Sequence, residues 1–399
     1  MADRVTVIGW DGSPLTAGAR SALSAATLVA GAAHHLALPE VPPTAERIRL
    51  GSVGLAARRI AGHRGTAVVF ADGDPGFFGA VRVLRAPEHG LEVEVFPAVS
   101  SVATAFARAA MPWDDAQVVV AHPRTLRRAV NVCRAHAKVA VLTSPGAGPA
   151  ELALLLEGVH RTFVVCEELG TDREQVSVLT SDKAADHSWR DPNVVIVIGG
   201  AGPAPADASW LLGQSAGRSV DRGWAGPQAD AGEGESAQLR AAQLARLGPR
   251  TGDLLWDIGA GSGGVAVDAA ALGAAVIAVD ADPAACDRIT AAARERGVQL
   301  QAVAGRAPHV LENLPEPDVV RVGGGGAAVV AAVAERRPER IVSHASTRDE
   351  AEAIGRALAE HGYAVECALL QSVGLDTRTW AEQDRSVVFL LAAQRPATR

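Results

Sequence analysis

The sequence predicts an α/β protein of two domains, and three observations support this. Short apolar, β-branched runs alternate with Ala-rich stretches of helical character along the 399 residues, as in buried parallel sheets covered by helices. Residues 202–235 are rich in Gly, Ala, Pro and Ser and interrupt this alternation, which is typical of a linker. A glycine-rich loop at 257–264 directly follows a strand-like run. We therefore expect one domain over 1–201, a linker over 202–235 and a second domain over 236–399.

Composition narrows the class of protein. Hydrophobic residues make up 48% of the chain and charged residues 21%, which is ordinary for a soluble globular protein. The net charge of −7 argues against nucleic-acid binding, which depends on a basic surface. No apolar run is long enough to span a membrane and no signal peptide is evident, so we expect a cytoplasmic protein. Ala-rich helices on parallel sheets are also compatible with a homo-oligomer, although no sequence feature defines an interface.

The cysteines do not indicate a metal or disulfide framework. They are far apart and form no C-x-x-C pair, so we expect reduced thiols and no zinc knuckle. They are Cys133, Cys166, Cys286 and Cys367.

The apolar runs predict the strands of both domains, and no internal repeat relates one domain to the other. In the first domain the predicted strands are 5–8, 67–70, 92–96, 117–121, 139–142, 161–166 and 194–198. In the second domain they are 253–258, 275–279, 299–303, 319–322, 340–342, 364–370 and 386–392.

The glycine-rich loop predicts a nucleotide-type cofactor site in the second domain. Glycines at the carboxyl end of a strand let a cofactor touch the backbone. Asp280 ends the next strand, where a carboxylate can accept hydrogen bonds from ribose hydroxyls. Because Gly259, Gly261 and Gly264 also satisfy the dinucleotide fingerprint, a nicotinamide cofactor stays open, as does a turn that only packs helix on sheet. Asp257, two residues before the first glycine, favours S-adenosylmethionine, since a dinucleotide site normally has an apolar residue there.

Motifs in the first half resemble a known family. The chain reads A-D-G-D-P-G-F-F-G, F-P-A-V-S-S, M-P-W-D-D-A, C-E-E-L-G-T and D-P-N-V-V, at 71–79, 96–101, 111–116, 166–171 and 191–195. In this order and spacing the motifs resemble the tetrapyrrole methylases, and more narrowly those that methylate carbon 5 of a precorrin. The resemblance covers roughly residues 4–200.

The second half resembles the decarboxylating precorrin methyltransferases that act at carbon 15, through W-D-I-G-A-G-S-G at 256–263, Pro317-Asp318 and the glycines at 323–326. The whole chain is similar to the family of fused precorrin-6Y C5,15-methyltransferases. This resemblance implies a two-lobed tetrapyrrole methylase domain followed by a Rossmann-like class I methyltransferase domain. It implies S-adenosyl-L-methionine as cofactor and a precorrin, with or without cobalt, as substrate in cobalamin biosynthesis. The implied reactions are methylation at carbons 5 and 15 and decarboxylation of the ring C acetate.

The resemblance also implies the cofactor-binding residues. In the first domain they are Gly9, Gly12, Gly73, Asp74, Pro75, Phe77, Ser100 and Ser101. In the second domain they are Asp257, Gly259, Gly261, Gly263 and Asp280. Taken alone, the serine pair would be interpreted as a helix cap.

Catalysis requires alignment of the reacting atoms, exclusion of water and a base for any proton lost, and we expect no metal and no covalent nucleophile. Asp114 and Asp115 are candidate proton acceptors, or start a helix. The precorrin that the resemblance implies as substrate is a polycarboxylate, which suits bidentate binding by arginine. Candidate cationic contacts are His122, Arg124, Arg127 and Arg128, for which a solvated helix face is the alternative. His34 and His35 occupy positions where the family has basic residues, with a surface location as the alternative.

Departures from the family pattern leave two other functions open. The first glycine loop reads G-W-D-G-S-P at 9–14, and Ala98 replaces a glycine. In the second domain the lead-in reads E-S-A-Q-L-R at 235–240, and the usual G-D-A-P and V-A-N-A-V-T read G-R-A-P at 305–308 and V-S-H-A-S-T at 342–347. One alternative is that only the first domain catalyses and the second is a binding scaffold. The other, resting on the glycine loop alone, is an NAD(P)-dependent oxidoreductase.

Overall fold

The computed structural model describes residues 4–51, 53–199 and 236–396. These residues form three β-sheets, two before residue 200 and one after residue 235. The predicted linker, residues 202–235, lies outside the described residues. Among the described residues, none of the helices has the length and apolar character needed to cross a membrane.

The first sheet is wholly parallel and makes the first lobe. Its strands are β1 (Arg4–Trp10), β2 (Leu28–Gly31), β3 (Glu46–Arg49), β4 (Thr66–Asp72) and β5 (Val93–Phe96), in the order β3-β2-β4-β1-β5. The helices are α1 (Ala17–Ser24), α2 (Ala33–Leu36), α3 (Val53–Ala61) and α4 (Ala80–Leu84), with α5 (Ser101–Arg108) leading to the next sheet. The central strands β1 and β4 are buried because helices cover both faces of the sheet.

The second sheet is mixed, which corrects the expectation of parallel sheets throughout. Its strands are β6 (Gln117–Val120), β7 (Lys138–Leu142), β8 (Thr162–Glu167), β9 (Gln175–Thr180) and β10 (Asn193–Ile198), in the order β6-β7-β10-β8-β9. Only β6 and β7 pair in parallel. The helices are α6 (Leu126–Ala135), α7 (Pro149–Leu155) and α8 (Ser181–Ala185). A strand buried on both faces is apolar in either orientation, so composition did not distinguish the two arrangements.

The third sheet is the core of the second domain. Its strands are β11 (Leu254–Ile258), β12 (Ala275–Asp280), β13 (Gln301–Ala304), β14 (Val319–Val322), β15 (Arg340–Ala345), β16 (Ala364–Leu375) and β17 (Glu382–Gln394). The order is β13-β12-β11-β14-β15-β17-β16, parallel except at β17, which runs antiparallel to both neighbours. The helices are α9 (Ala237–Leu247), α10 (Gly264–Ala271), α11 (Pro283–Glu295), α12 (Gly326–Glu335) and α13 (Arg348–Glu360).

Every predicted strand is present, but β2, β3 and β9 were missed. β2 has four residues, which is too short for a periodicity. β3 reads Glu-Arg-Ile-Arg at a sheet edge, and β9 alternates exposed and half-buried residues at another edge. Edge strands need only one covered face, so their composition is close to that of a loop.

The two domains contact each other directly. Asn131 on α6 is buried and donates from Nδ2 to Gly252 O at 3.0 Å. Arg161 donates from Nη2 to Gln299 Oε1 at 2.8 Å, and Gln299 donates from Nε2 to Gly199 O at 2.9 Å. Ala135 at the end of α6 packs in the same apolar cluster as the strands of the third sheet. The contact is therefore both packed and hydrogen-bonded.

Candidate functional sites

A cleft of about 310 Å³ opens where the two lobes of the first domain meet. It lies at the carboxyl ends of β1 and β4 in the first sheet and of β7 and β8 in the second. Its lining includes Trp10, Asp11, His34, Asp72, Gly73 and Ser101 from the first lobe, and Thr143, Glu168, Arg173 and Asn193 from the second. The size suits a small-molecule ligand held by both lobes.

Backbone segments approach too closely at the floor of this cleft to admit side chains. The N–H of Gly73 donates to Trp10 O at 2.7 Å, which joins the loops after β4 and β1. A Cβ atom on Gly9 would lie 2.4 Å from Gly73 O and 2.8 Å from the nitrogen of Ala98. Glycine at position 9 is therefore required by packing, and the predicted cofactor loop is placed at the cleft.

Asp11 connects the loop after β1 with the loop after β5. Its Oδ1 accepts from the Ser13 N–H at 3.0 Å, and its Oδ2 accepts from the Val99 N–H at 3.1 Å. Burial raises the pKa of Asp11, but these N–H groups outweigh it and leave the pKa below the usual value. Asp11, which departs from the family pattern, thus holds the loops after β1 and β5 together.

The serine pair divides into two roles. Ser100 Oγ accepts from the Val102 N–H at 3.2 Å and caps α5, as the simpler interpretation predicted. Ser101 lines the cleft. The role of either residue in cofactor binding stays a prediction.

The remaining predicted residues of the first domain shape the loops around the cleft. Asp74 Oδ1 accepts from the Gly76 N–H at 2.8 Å and sets the turn that contains Pro75. Phe77 packs against the core cluster of the second lobe. Gly12 adopts φ +90° and packs on the backbone of Gly170, so it joins the two lobes.

A cluster of His34, His35 and Asp72 lies at one side of the cleft. His34 Nε2 is 2.8 Å and His35 Nε2 is 3.1 Å from the same Asp72 oxygen, Oδ1. His35 is buried, whereas 39% of the His34 side chain and 48% of the Asp72 side chain are exposed. Burial raises the pKa of Asp72, but hydrogen bonds from both imidazoles outweigh it and hold the pKa well below its usual range. The histidine pair is therefore a cleft feature, and Asp72 was missed because the sequence does not show that it meets α2.

The candidate catalytic residues separate in space. Asp114 is exposed in the loop before β6, and its neighbour Asp115 accepts from Lys138 Nζ at 2.6 Å, at the edge of the sheet away from the cleft. The structure therefore does not bring Asp114 to the cleft. His122 and Arg124 are exposed just beyond the carboxyl end of β6, at the same edge as the cleft but outside its lining.

Arg127 has a different partner from the one predicted. Its guanidinium donates from Nη1 to Glu316 O at 2.9 Å and from Nη2 to Asp318 Oδ1 in the second domain. Arg128 packs its Cβ near Gly252 of the same domain. The proposed carboxylate contact at Arg127 is thus replaced by an interdomain ion pair, because α6 forms the domain contact.

The second candidate site is the glycine-rich loop after β11. Gly259, Gly261 and Gly263 all have positive φ, between +59° and +79°. Asp280 at the end of β12 accepts from the Gly261 N–H through Oδ2 at 2.8 Å and from the Asp282 N–H through Oδ1 at 2.9 Å. The structure therefore brings the predicted acid and the predicted glycines together at the carboxyl ends of adjacent strands.

Asp257 is fully buried beneath this loop and pairs with a residue that sequence reasoning missed. Arg321 on β14 donates from Nη1 to Asp257 Oδ1 at 3.0 Å and to Gly259 O at 3.0 Å. The one signal for Arg321 in the sequence is a charge inside the apolar run V-V-R-V. The ion pair anchors the start of the glycine loop, and a direct cofactor contact of Asp257 stays a prediction.

Two departures from the family pattern lie near this loop. Arg306 is exposed just after β13, whose neighbour β12 ends at Asp280. His344 is the penultimate residue of β15, where its Nδ1 lies 3.2 Å from Gln243 Nε2. Burial, with a contribution from the Arg321 charge, lowers the pKa of His344.

Both sites fit a nucleoside-type cofactor. In the first domain, backbone segments converge at a cleft open to both lobes. In the second, Gly261 has open space where a Cβ would project, and a carboxylate stands next to it. The residues that would hold the cofactor are those of the loops after β1, β4 and β5 in the first domain, and after β11 and β12 in the second.

Comparison with known proteins finds a different family model for each half of the chain. Residues 10–185 match the family model described as Tetrapyrrole (Corrin/Porphyrin) Methylases, and residues 230–390 match the Precorrin methyltransferase domain. The chain is 33% identical, over 82% of its length and 76% of the relative, to a Precorrin-6Y C(5,15)-methyltransferase [decarboxylating] of Sinorhizobium sp..

Two shorter relatives each match part of the chain. A Cobalt-precorrin-7 C(5)-methyltransferase of Salmonella typhimurium is 32% identical over 46% of this chain and 92% of its own length. A Probable cobalt-precorrin-6B C(15)-methyltransferase (decarboxylating) of Pyrobaculum calidifontis is 38% identical over 32% of this chain and 69% of its own length.

Proposed function

The chain belongs to the family of decarboxylating precorrin-6Y C5,15-methyltransferases, and from this premise we propose that each of its two domains is an active methyltransferase. The first domain methylates carbon 5 of a precorrin. The second methylates carbon 15 and decarboxylates the ring C acetate, a step in cobalamin biosynthesis. The observation that carries the proposal is the match to a two-activity relative over 82% of the chain, together with a preformed site in each domain. We place the first domain at 1–201 and the second at 236–399.

Methylation in the first domain requires little covalent chemistry from the protein. Bound S-adenosyl-L-methionine supplies a methyl group on a sulfonium, which is electrophilic enough to react with an enamine-like ring carbon. The loops after β1, β4 and β5 orient the ligands, since the Gly9–Gly73 approach and the Asp11 bonds fix these loops. The two lobes exclude water, so that most of the rate enhancement comes from alignment.

The second domain adds a decarboxylation. Loss of carbon dioxide leaves an electron pair that the conjugated macrocycle can accept, and one proton then converts the remaining carbon to a methyl group. The Asp257–Arg321 ion pair holds the glycine loop, and Asp280 holds Gly261. We propose that Asp280 also accepts the ribose hydroxyls of the cofactor.

A mass-spectrometric assay tests both activities together. Purified protein is incubated with S-adenosylmethionine and with precorrin-6Y or, separately, its cobalt form. A gain of two methyl groups with loss of one carbon dioxide supports the proposal. No change in mass for either substrate, with cofactor binding confirmed, contradicts the substrate assignment.

A second candidate function follows from one observation in the second domain. Arg306 places a cation on the loop after β13 where relatives have an acid, and this side chain is exposed beside the predicted cofactor site. If the cation prevents productive binding, the second domain is a scaffold and the assay gives one methyl group with the carboxylate retained. Arg306→Asp would then restore the second methylation and the decarboxylation.

A further inference from the structure

The cluster of His34, His35 and Asp72 has a protonation pattern that its geometry determines. The N–H of Ala32 donates to His35 Nδ1 at 3.2 Å, so that a neutral His35 carries its proton on Nε2, which faces Asp72. His34 Nε2 lies 2.8 Å from the same carboxylate oxygen. An ionised carboxylate only accepts hydrogen bonds, so this nitrogen is also protonated. Both imidazoles therefore donate to Asp72 Oδ1. The two Nε2 atoms lie 3.1 Å apart, and because both carry protons they are held close by this shared acceptor and not by a hydrogen bond between them.

This pattern leaves one unprotonated nitrogen in the cluster without a hydrogen-bonding partner. Within residues 4–51, 53–199 and 236–396, no hydrogen bond involves Nδ1 of His34. The ring lies beside the indole of Trp10, with centroids 5.7 Å apart, and both residues line the cleft. A proton gained at Nδ1 would create an imidazolium whose charge Asp72 balances through Nε2. This is the arrangement of a base oriented by a carboxylate.

The same three residues offer ligand atoms within 4.8 Å of one another, a spacing that would suit a metal ion. The tautomer argues against it. A metal needs the lone pair of a neutral imidazole nitrogen, and the only lone pair of His35 is at Nδ1, where the Ala32 N–H already points. Two ligands, His34 and Asp72, would remain, fewer than the three or four protein ligands of zinc sites.

We propose that His34 is the proton acceptor for methylation at carbon 5, with Asp72 and His35 as positioning residues. This inference rests on the proposed function of the first domain. A methine carbon of the macrocycle carries one hydrogen. That carbon uses an electron pair of the macrocycle to form the bond to the methyl group. The electron pair of the broken S–C bond stays on sulfur, and the macrocycle gains one positive charge. The C–H bond then breaks, its electron pair returns to the macrocycle, and the proton moves to Nδ1 of His34. The imidazole of His34 is partly exposed and then passes this proton to water.

The acceptor is tested in single turnovers of the full-length protein with substrate deuterated at carbon 5. In the wild type we expect S-adenosylhomocysteine to form and deuterium to be released together. In His34→Gln we expect S-adenosylhomocysteine to form at the wild-type rate. Deuterium release should slow about 100-fold, which is the size of a general-base contribution. Imidazole added to His34→Ala restores part of the release. His187→Gln, an exposed histidine of the same domain, changes neither rate.

A second readout needs no substrate. Nitrogen-15 NMR of the histidine rings in the free protein should show His34 and His35 with Nε2 protonated and Nδ1 unprotonated, and zinc alone should shift neither ring. Equal slowing of both rates in His34→Gln, a His34 ring protonated at Nδ1, or zinc bound through both Nε2 atoms would overturn the inference. If the wild type forms no S-adenosylhomocysteine with substrate, the proposed function itself fails.

The contact between the domains supports an independent inference about how the reaction intermediate moves between the two sites. The residues of the second domain that the first domain contacts all lie just before strands of the third sheet. Gly252 precedes β11, Gln299 precedes β13 and Asp318 precedes β14. The first domain therefore packs against the amino ends of these parallel strands. The glycine loop and Asp280 lie at the carboxyl ends of β11 and β12, which is the opposite end of the strands. The second site therefore faces away from the first domain.

Part of the first domain's contact lies away from its cleft, and the rest runs along α6 from Arg127 to Asn131. Arg161 precedes β8 and Gly199 follows β10, which is antiparallel to β8, so both lie at one edge of the second sheet. The cleft residues Glu168 and Asn193 lie at the other edge. Because strands of five or six residues span about 17–20 Å, the second site is separated from the domain contact by the length of the third sheet.

We infer that the singly methylated intermediate leaves one site into solvent before it reaches the other. Two single-site variants test this. Gly73→Val would place a side chain against the Ser101 nitrogen, 2.7 Å from the Cβ position, and Asp280→Ala removes the acid of the second site. The two variants are mixed in equal amounts, so that the concentration of each intact site equals that in the wild-type reaction. The mixture should form the doubly methylated product at the wild-type rate, and the singly methylated intermediate should appear transiently in both reactions. A mixture at least tenfold slower, or a wild-type reaction without free intermediate, would overturn the inference.

Discussion

Arg321 donates a single nitrogen, Nη1, to both Asp257 Oδ1 and Gly259 O, each at 3.0 Å. The ion pair is almost fully enclosed, with 4% of the Arg321 side chain and none of the Asp257 side chain exposed. A charge pair in the apolar interior is costly to assemble and costly to break, because the partner that remains is a buried, uncompensated charge. Here it connects β14 to the start of the glycine loop, which is the predicted cofactor loop of the second domain.

Removing one member of this pair should destabilise the second domain. For Arg321→Met we expect a loss of about 3–5 kcal/mol in the free energy of unfolding, since the buried Asp257 loses its ion pair with Arg321. Denaturant unfolding followed by tryptophan fluorescence, to which the buried Trp256 contributes, measures this loss. Arg356→Met, which removes an exposed ion pair with Glu352, should cost less than about 1 kcal/mol. An effect of Arg321→Met no larger than that of this control would refute the prediction.

Gly9 offers a test of the first cleft. In Gly9→Ala the new methyl group meets Gly73 O at 2.4 Å, and overpacking of this kind costs about 1–3 kcal/mol. We expect calorimetry with S-adenosylhomocysteine to show two binding sites in the wild type and a weakened or lost first site in the variant. Gly62→Ala, with its nearest atom at 3.7 Å, is the control. Loss of both sites in Gly9→Ala would mean that the effect is not local.

Asp11 should make the first domain sensitive to acid. Its pKa in the folded protein is depressed, because the Ser13 and Val99 N–H groups outweigh the effect of burial. A depressed carboxyl pKa stabilises the fold above the unfolded value of about 4 and loses that stabilisation as the pH falls. Asp11→Asn should therefore be less stable than the wild type at pH 7, and the difference should narrow below about pH 4. A difference that is constant over this range would contradict the assignment.

The domain contact should depend on Asn131. Asn131→Leu removes hydrogen bonds to Gly252 O and Asp318 Oδ2, and a buried acceptor left without a partner costs about 1–3 kcal/mol. We expect the unfolding transitions of the two domains to separate in scanning calorimetry. Arg20→Ala, an exposed change on α1, should leave the transitions as in the wild type. Unchanged coupling in Asn131→Leu would contradict the role assigned to Asn131 and leave the domain contact to Arg161, Arg127 and the apolar packing.

Much of the architecture was predictable from local sequence. Apolar runs of four to seven residues in β1, β4, β8 and β11 are recognisable without knowledge of their neighbours, because a central strand is apolar on both faces. The same argument identified the glycine loop at 257–264 and the acid at Asp280, whose meeting follows from the alignment of adjacent parallel strands. The edge strands β3 and β9 were missed since their composition reflects solvent on one side.

By itself, the sequence determined the fold class, the two domains with their families, and the glycine loops, since these depend on residue type and short-range spacing. Only the tertiary structure decided which side chains meet: His34 with Asp72, Asp257 with Arg321, and Arg127 with Asp318. These partners are 38, 64 and 191 residues apart in the chain, and local composition carries no record of such pairings. Charges and hydrogen bonds act over a few ångströms in space, so their partners are set by the packing of whole elements.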